Sequence, residues 1–420
     1  MREKWQIYKV EKGERMKTKL GINVYEAAKK RIAYTFDHFE KIIVSFSAGK
    51  DSTCMLHMVC DEARRRNRTV AVMLIDLEGM YKKTIDHAER CREMYKDCTE
   101  WYWICLPIHL RNAVSVYEPF WICWDESAKK QWIRDLPKNC IHDVNYFPFF
   151  QAGMEFEEFD VLFAQWYAQG KSCAVHIGIR SDESLNRYRT IANRHKETYN
   201  GHMWTTRIID NVYNVYPIYD WKTQDDWVYQ GKHKDKPYNE LYDYMHLAGL
   251  TIHQMRICQP YGDDQRRGLW LFHLIEPETW AKVVARVNGA NSGAMYINET
   301  GNINGYRKIG KPEGHTWKSF AILLLKSMPP KTQEHFKNKI YVFCKWWEKR
   351  GYPDGIPDEA DYKVEQKRGV PSWRRVCKAL LRNDFWCKGL GFSQTKSDAY
   401  QKYLDRMKRK REEDNFRMDA

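Results

Sequence analysis

From residue 41 to residue 178, short and nearly continuous apolar runs alternate with longer segments whose apolar positions recur every three or four residues. KIIVSFS, TVAVMLID, EWYWICLPI and SCAVHIGI read as strands that are apolar on both faces. Residues 51–66, which end in the basic run ARRRNR, residues 80–97 and the segment EFEEFDVLFAQWYAQG read as helices. NVYEAAKKRIAYTFDHF has helical spacing too, which makes residues 1–40 a helical lead-in. Strands apolar on both faces need cover on both, so the pattern predicts an α/β fold, an open and mostly parallel sheet sandwiched by helices. Residues 117–153, rich in Trp, Phe and Pro, read as an insertion into a domain spanning 41–275.

The character changes from about 276, in a mainly helical, basic extension running to 420. VNGANSGAMYINETGNINGYRK reads as turns or a hairpin, residues 316–350 and 371–384 as helical, and GYPDGIP as a break between them. The tail AYQKYLDRMKRKREEDNFR reads as a charged helix of mixed sign.

In an open parallel sheet, ligands sit beyond the carboxyl ends of the strands. Two polar segments fall at that edge, SAGKDS after the first strand and RSDESLNRYR after the fourth. The plainer reading of SAGKDS is a strand–turn–helix joint, with Asp51 or Ser52 as the cap. The sharper one is a phosphate pocket: helix N-terminal N–H groups attract anions, Ser47, Ser52 and Thr53 offer hydroxyls, and Lys50 adds charge.

Composition narrows the setting. The apolar runs are too short to span a bilayer, and the charged start lacks the apolar core of a secretory signal, so a cytoplasmic protein with no membrane partner is expected. Twelve cysteines are scattered without a Cys-x-x-Cys, so neither zinc nor an iron–sulfur cluster is predicted, and Cys91, Cys98 and Cys105 read as buried thiols. A net charge of +14 with 14% aromatics suits DNA or RNA, but equally a small polyanion such as ATP or an acidic partner protein.

Walker A is excluded, because residue 44 is Val and Asp follows Lys50. The order Ser-x-Gly-Lys-Asp-Ser instead resembles the PP-loop of ATP pyrophosphatases, the adenine nucleotide α-hydrolases, with Ala48 at the place of the first glycine. Three further segments resemble the phosphoadenosine-phosphosulfate (PAPS) reductase branch: LIDLEGMY, HIGIRSDESLNRYR, and VYPIYDWKTQDDW with Pro217, Asp220, Trp221, Asp226 and Trp227. Over roughly 20–275 the resemblance implies a Rossmann-like fold that binds ATP. It implies Lys50, Asp51, Arg180 and Arg187 as catalytic. It implies Ser45, Ser47, Ala48, Gly49, Ser52, Thr53, Asp76, Glu78, Gly178, Asp182 and Glu183 as nucleotide-binding, and Asp51 as the contact for Mg²⁺. The activity implied is cleavage of ATP at the α-phosphorus, giving AMP or an adenylated product plus pyrophosphate.

The reductases' Glu-Cys-Gly-Leu-His motif is absent, leaving Cys258, in HQMRICQPYGDDQRRGLWLF, as the candidate nucleophile for the alternative of a thiol-dependent reductase. That segment and the extension resemble IbrA-type proteins, which carry a C-terminal domain of unknown function. They are commonly encoded in phages and prophages beside a ParB-like (IbrB-type) partner, so a second alternative is a nucleotide-dependent regulator acting with such a partner.

Overall fold

The structure, a computed structural model, describes residues 3–9, 15–115, 117–262, 269–289 and 310–392. They fall into two compact units, 1–108 with 135–257, and 109–134 with 258–401.

The first unit opens with an antiparallel ribbon, β1 (Glu3–Lys9) and β2 (Arg15–Asn23), where the sequence suggested only helix. Helix α1 (Val24–His38) follows, capped by the Asn23 side chain on the Glu26 N–H. The alternation read from the sequence then appears as β3 (Lys41–Ser45), α2 (Lys50–Arg65), β4 (Val70–Ile75), α3 (Lys82–Met94) and β5 (Thr99–Ile104). After the segment belonging to the second unit, α4 (Phe156–Ala168) leads into β8 (Cys173–Ile177) and α5 (Leu185–Ala192). The remaining elements of this unit are β9 (Thr205–Ile209), β10 (Val212–Val215), α6 (Thr223–Lys232) and α7 (Leu241–Leu247).

Six strands form the sheet in the order β5-β4-β3-β8-β10-β9. All neighbours run parallel except β9, which pairs antiparallel with β10 at the edge. The chain builds outward from β3 through β4 to β5, then returns to add β8 on the other side of β3. The order therefore reverses between β3 and β8, the switch point at which open parallel sheets commonly bind ligands. Ile42, Ile43, Val44, Val70, Ala71, Val72, Ala174 and Val175 are all buried, as expected of strands covered on both faces.

The second unit contains the short antiparallel pair β6 (His109–Arg111) and β7 (Phe120–Ile122). Its helices are α8 (Leu269–Ile275), α9 (Pro277–Arg286), α10 (Trp317–Lys326), α11 (Pro330–Glu348), α12 (Tyr362–Gln366) and α13 (Trp373–Leu381). Trp317, Ala321, Leu325, Phe336, Ile340, Phe343, Val376 and Leu380 share one core. Residues 109–134 join this unit through directed hydrogen bonds. Asn383 donates to the carbonyls of Ala113 and Ser115, and the Ala113 N–H donates to Tyr261 O. The expected boundary at 276 and insertion at 117–153 stand beside a contact-based division in which the second unit takes residues from 109 and from 258. Most of the Gly- and Asn-rich stretch and the whole charged tail lie outside the described residues.

Candidate functional site

Residues 46–49 carry the chain from the end of β3 to the start of α2. The Phe46 N–H donates to Met73 O, and Ala48 turns the backbone through a left-handed φ of +56°. Glycine takes that conformation without strain, whereas the Cβ of alanine carries the penalty of the left-handed region. Gly49 is the helix cap, without a side-chain bond of its own. Ser52 Oγ donates back to Gly49 O at 3.1 Å and lies 3.1 Å from Ser47 Oγ, so both hydroxyls stay at the mouth of the helix. The Lys50 N–H, the first of α2, donates to the phenol oxygen of Tyr242 at 3.0 Å. Asn239 donates to Ala48 O at 3.0 Å and to Thr84 Oγ1 at 3.1 Å, holding the turn from α3 and the segment before α7.

Thr53 points elsewhere. Its hydroxyl is buried against His87 Nε2 at 2.9 Å, inside the α2–α3 contact. Ser45 is half-buried at the end of β3.

The loop after β8 meets this turn closely. A Cβ at Gly178 would stand 3.1 Å from the Ser52 N and 3.2 Å from the Asp51 C, so glycine lets the strand end abut the start of α2. Two residues on, the buried Arg180 enters a cluster of carboxylates. Its Nε pairs with Asp51 Oδ1 and lies 3.3 Å from Asp226 Oδ2, while Nη1 donates to Asp182 Oδ1 at 2.7 Å. Lys50 Nζ, also buried, donates to the other Asp51 oxygen at 2.9 Å. Two buried cations thus share Asp51 between them at the switch point of the sheet.

The two central carboxyls differ. Burial penalises charge on both, but the positive charges of Lys50 and Arg180 bring Asp51 below the ordinary carboxylate range. Asp226 is fully buried, and burial together with the Asp51 charge pushes it well above that range despite Arg180. Asp226 therefore holds its proton more tightly than Asp51, and the two carboxyls share a hydrogen bond in which Asp226 is the donor. The sequence flagged Asp226 within a motif but not as part of the site; Tyr242 and Asn239 carried no signal, because they reach the loop from about 190 residues away.

The other anticipated residues sit around this centre to varying degrees. Asp76 and Glu78 are buried past the end of β4; Asp76 accepts from the Glu78 N–H at 3.0 Å and from Trp103 Nε1 at 2.8 Å. Arg187 is not in the Arg180 cluster: it pairs with Glu183 at 3.1 Å on the first turns of α5, half-exposed. Arg256 Nη2 reaches Glu183 O at 3.4 Å. Asp220 and Trp221 are structural. Asp220 takes a two-pronged ion pair from Arg31 at 2.9 and 3.0 Å, and Trp221 Nε1 donates to Val24 O. Cys258 is a half-buried cysteine that begins the second stretch of the second unit, and Arg266 and Arg267 lie outside the described residues. Among the described residues no group of three His, Cys, Asp or Glu could hold a metal ion, and no helix is long and apolar enough to cross a membrane.

Sheet order, the loop–helix junction at the switch point and the arginine entering from the neighbouring strand define the class, an open and mostly parallel α/β protein with its site at the switch point. The chain is 24% identical over 241 residues to a phosphoadenosine 5'-phosphosulfate reductase of Xylella fastidiosa (strain M23), covering 56% of this chain and 81% of that protein. It is 43% identical over 400 residues to the uncharacterized protein YbdN of Escherichia coli (strain K12), covering 94% of this chain and 97% of YbdN. The chain belongs to the family of YbdN. Residues 249–354 and 352–401 match the family described as a domain of unknown function, DUF3440. Among solved structures, the phosphoadenylyl-sulfate (PAPS) reductase of Candida auris aligns at 16% identity over 56% of this chain and 89% of its own, with a TM-score of 0.31.

Proposed function

We propose that the protein binds ATP at the switch point between β3 and β8 and cleaves it at the α-phosphorus. The observation that carries this reading is the pairing of buried Lys50 and Arg180 through Asp51 at the N-terminus of α2, at the switch point of the sheet. Helix N-terminal N–H groups and two fixed cations favour a polyphosphate, and fixed charge is what a developing pyrophosphate leaving group needs. In the proposed reaction an acceptor oxygen attacks the α-phosphorus. The bond to the bridging oxygen breaks, and pyrophosphate leaves with the electron pair. The product is AMP, or an adenylated acceptor. Lys50 and Arg180 hold the departing charge, and Asp51 keeps both cations in place.

Mg²⁺ would accompany the nucleotide. The Asp51 oxygens are hard donors of the type it prefers, and Mg²⁺ commonly takes only one or two carboxylates besides the phosphates of its substrate. Bound there, it would screen the triphosphate charge. For the acceptor, the net charge of +14 supports nucleic acid. Encoding by a phage or prophage beside a ParB-like partner completes the proposal, on the IbrA-type resemblance.

The test is to incubate the protein with Mg²⁺ and ATP labelled separately at the α- and γ-phosphates, with and without DNA. AMP and intact pyrophosphate, lost in Lys50→Ala and Arg180→Ala, support the reading; ADP and phosphate overturn it. Tight binding without turnover, with or without DNA, favours a nucleotide-dependent regulator instead.

A further inference from the structure

A second chemical group lies at the carboxyl edge of the sheet, in the first unit and outside the phosphate loop. Beyond β5 the chain leaves through Cys105, and the segment around residue 141 returns alongside it. Ile104 pairs with Ile141 in a parallel bridge; the Ile141 N–H donates to Trp103 O at 2.7 Å and the Cys105 N–H to Ile141 O at 2.8 Å. Side chains alternate faces along extended backbone. With Ile104 and Ile141 on one face, Cys105 and Cys140 share the other, and their thiols are joined by a hydrogen bond. Arg92 Nη1 donates to Lys138 O at 3.0 Å, which ties the returning segment to α3.

The two sulfurs differ in access. Cys105 is 1% exposed, whereas Cys140 is half-buried with a face to solvent. The Cys105 hydrogen bond, with the charge and hydrogen bond of His142 behind it, brings the Cys140 thiol down to about 7. The structure has another close pair, Cys60 and Cys98, but both are buried, and burial pushes Cys60 well above the ordinary thiol range. Cys344, though half-buried, is also raised by burial. Nucleophilic cysteines combine access with thiolate character, and Cys140 has both.

We propose that Cys140 and Cys105 form a reversibly oxidisable dithiol that a hydroperoxide closes to a disulfide. The Cys140 thiolate attacks one peroxide oxygen, the O–O bond breaks, and the other oxygen leaves with the electron pair and takes a proton as water or an alcohol. Cys140 is then a sulfenic acid. The Cys105 thiol gives up its proton, its sulfur attacks Cys140 and displaces hydroxide, which leaves as water. The two thiols lose two electrons and two protons to the peroxide, and a small thiol reductant reverses the change by exchange. This inference is independent of the nucleotide chemistry proposed above.

The experiment treats the folded full-length protein with hydrogen peroxide, then maps its peptides without reduction. The expected result is the loss of two hydrogens in mass, a Cys105–Cys140 linked peptide, and recovery with dithiothreitol. Cys140→Ser should abolish the link, and Cys105→Ser should leave a sulfenic acid at Cys140 that dimedone traps. On the unmutated protein, native iodoacetamide should modify Cys140 before Cys258 or Cys344. Oxidation or alkylation that falls first on another cysteine, or a peroxide-treated protein in which Cys105 and Cys140 are never linked, overturns the proposal.

Discussion

The centre of the site sets Asp226 against Asp51. A carboxyl whose folded value lies above its unfolded one contributes stability that is full below the ordinary carboxylate range. That contribution is lost as pH rises through the folded value. Asp226→Asn mimics the neutral form, so it should match the parent at pH 4 and exceed it increasingly on the alkaline side, by up to about 1.4 kcal/mol per pH unit. Thermal melts of both proteins across pH 4 to 9 give the comparison; a constant gap contradicts a protonated Asp226. Tyr242 gives a second expectation at this scale. Its phenol oxygen already accepts from the Lys50 N–H, so an anion must replace that bond rather than add to it. Tyr242→Phe removes the competitor, and at about 1 kcal/mol for a net hydrogen bond its affinity for pyrophosphate should rise about fivefold in a calorimetric titration. Weaker binding would give the phenol a direct part in holding the ligand.

Helix α1 is fastened to the segment after β10 by the ion pair of Arg31 with Asp220, reinforced by the Arg31 bond to Pro217 O at 2.7 Å. Both side chains are about nine-tenths buried. Arg31→Ala strands a buried carboxylate, and a loss of roughly 3 to 5 kcal/mol in denaturant unfolding is expected. A change under 1 kcal/mol would mean that water reaches Asp220.

Elements legible in the sequence were those with long, uniform periodicity: α1 to α4 and the strands β3, β4, β5 and β8 all lie where the apolar pattern put them. The β9–β10 hairpin escaped. Its strands are five and four residues long, and Arg207 and Asn214 interrupt its apolar alternation. The loop itself was legible because Ser47 to Ser52 are contiguous, with companion segments at strand ends. Asp226, Asn239 and Tyr242 were not, because only tertiary packing brings α6 and α7 to the mouth of α2.

Across the molecule, three buried histidines set the acid limit. Burial drives His57 and His87 down to about 3 and His176 to about 4, from an ordinary 6.5. A histidine held neutral in this way contributes stability that is complete above 6.5 and is lost as pH falls toward the folded value. Three together cost up to roughly 4 kcal/mol per pH unit, against a total stability of order 10 kcal/mol. The melting temperature should therefore fall steeply between pH 6.5 and 5; a flat profile would contradict buried neutral imidazoles.

The discontinuous second unit has a consequence for how the chain is made. Residues 109–134 emerge from the ribosome early, but Tyr261 and Asn383, which satisfy the main-chain groups of Ala113 and Ser115, come far later. At about 5–20 residues per second, the interval is roughly ten seconds or more. For that time Trp121, buried in the finished protein against Tyr261 and Arg286, waits for those two side chains. A chain ended after Ile257 makes the wait permanent. It should sediment with the insoluble fraction on expression, while the full chain stays in the supernatant. Until Tyr261 and Asn383 emerge, the nascent chain should present this loop uncovered, and chaperone demand should peak in that interval.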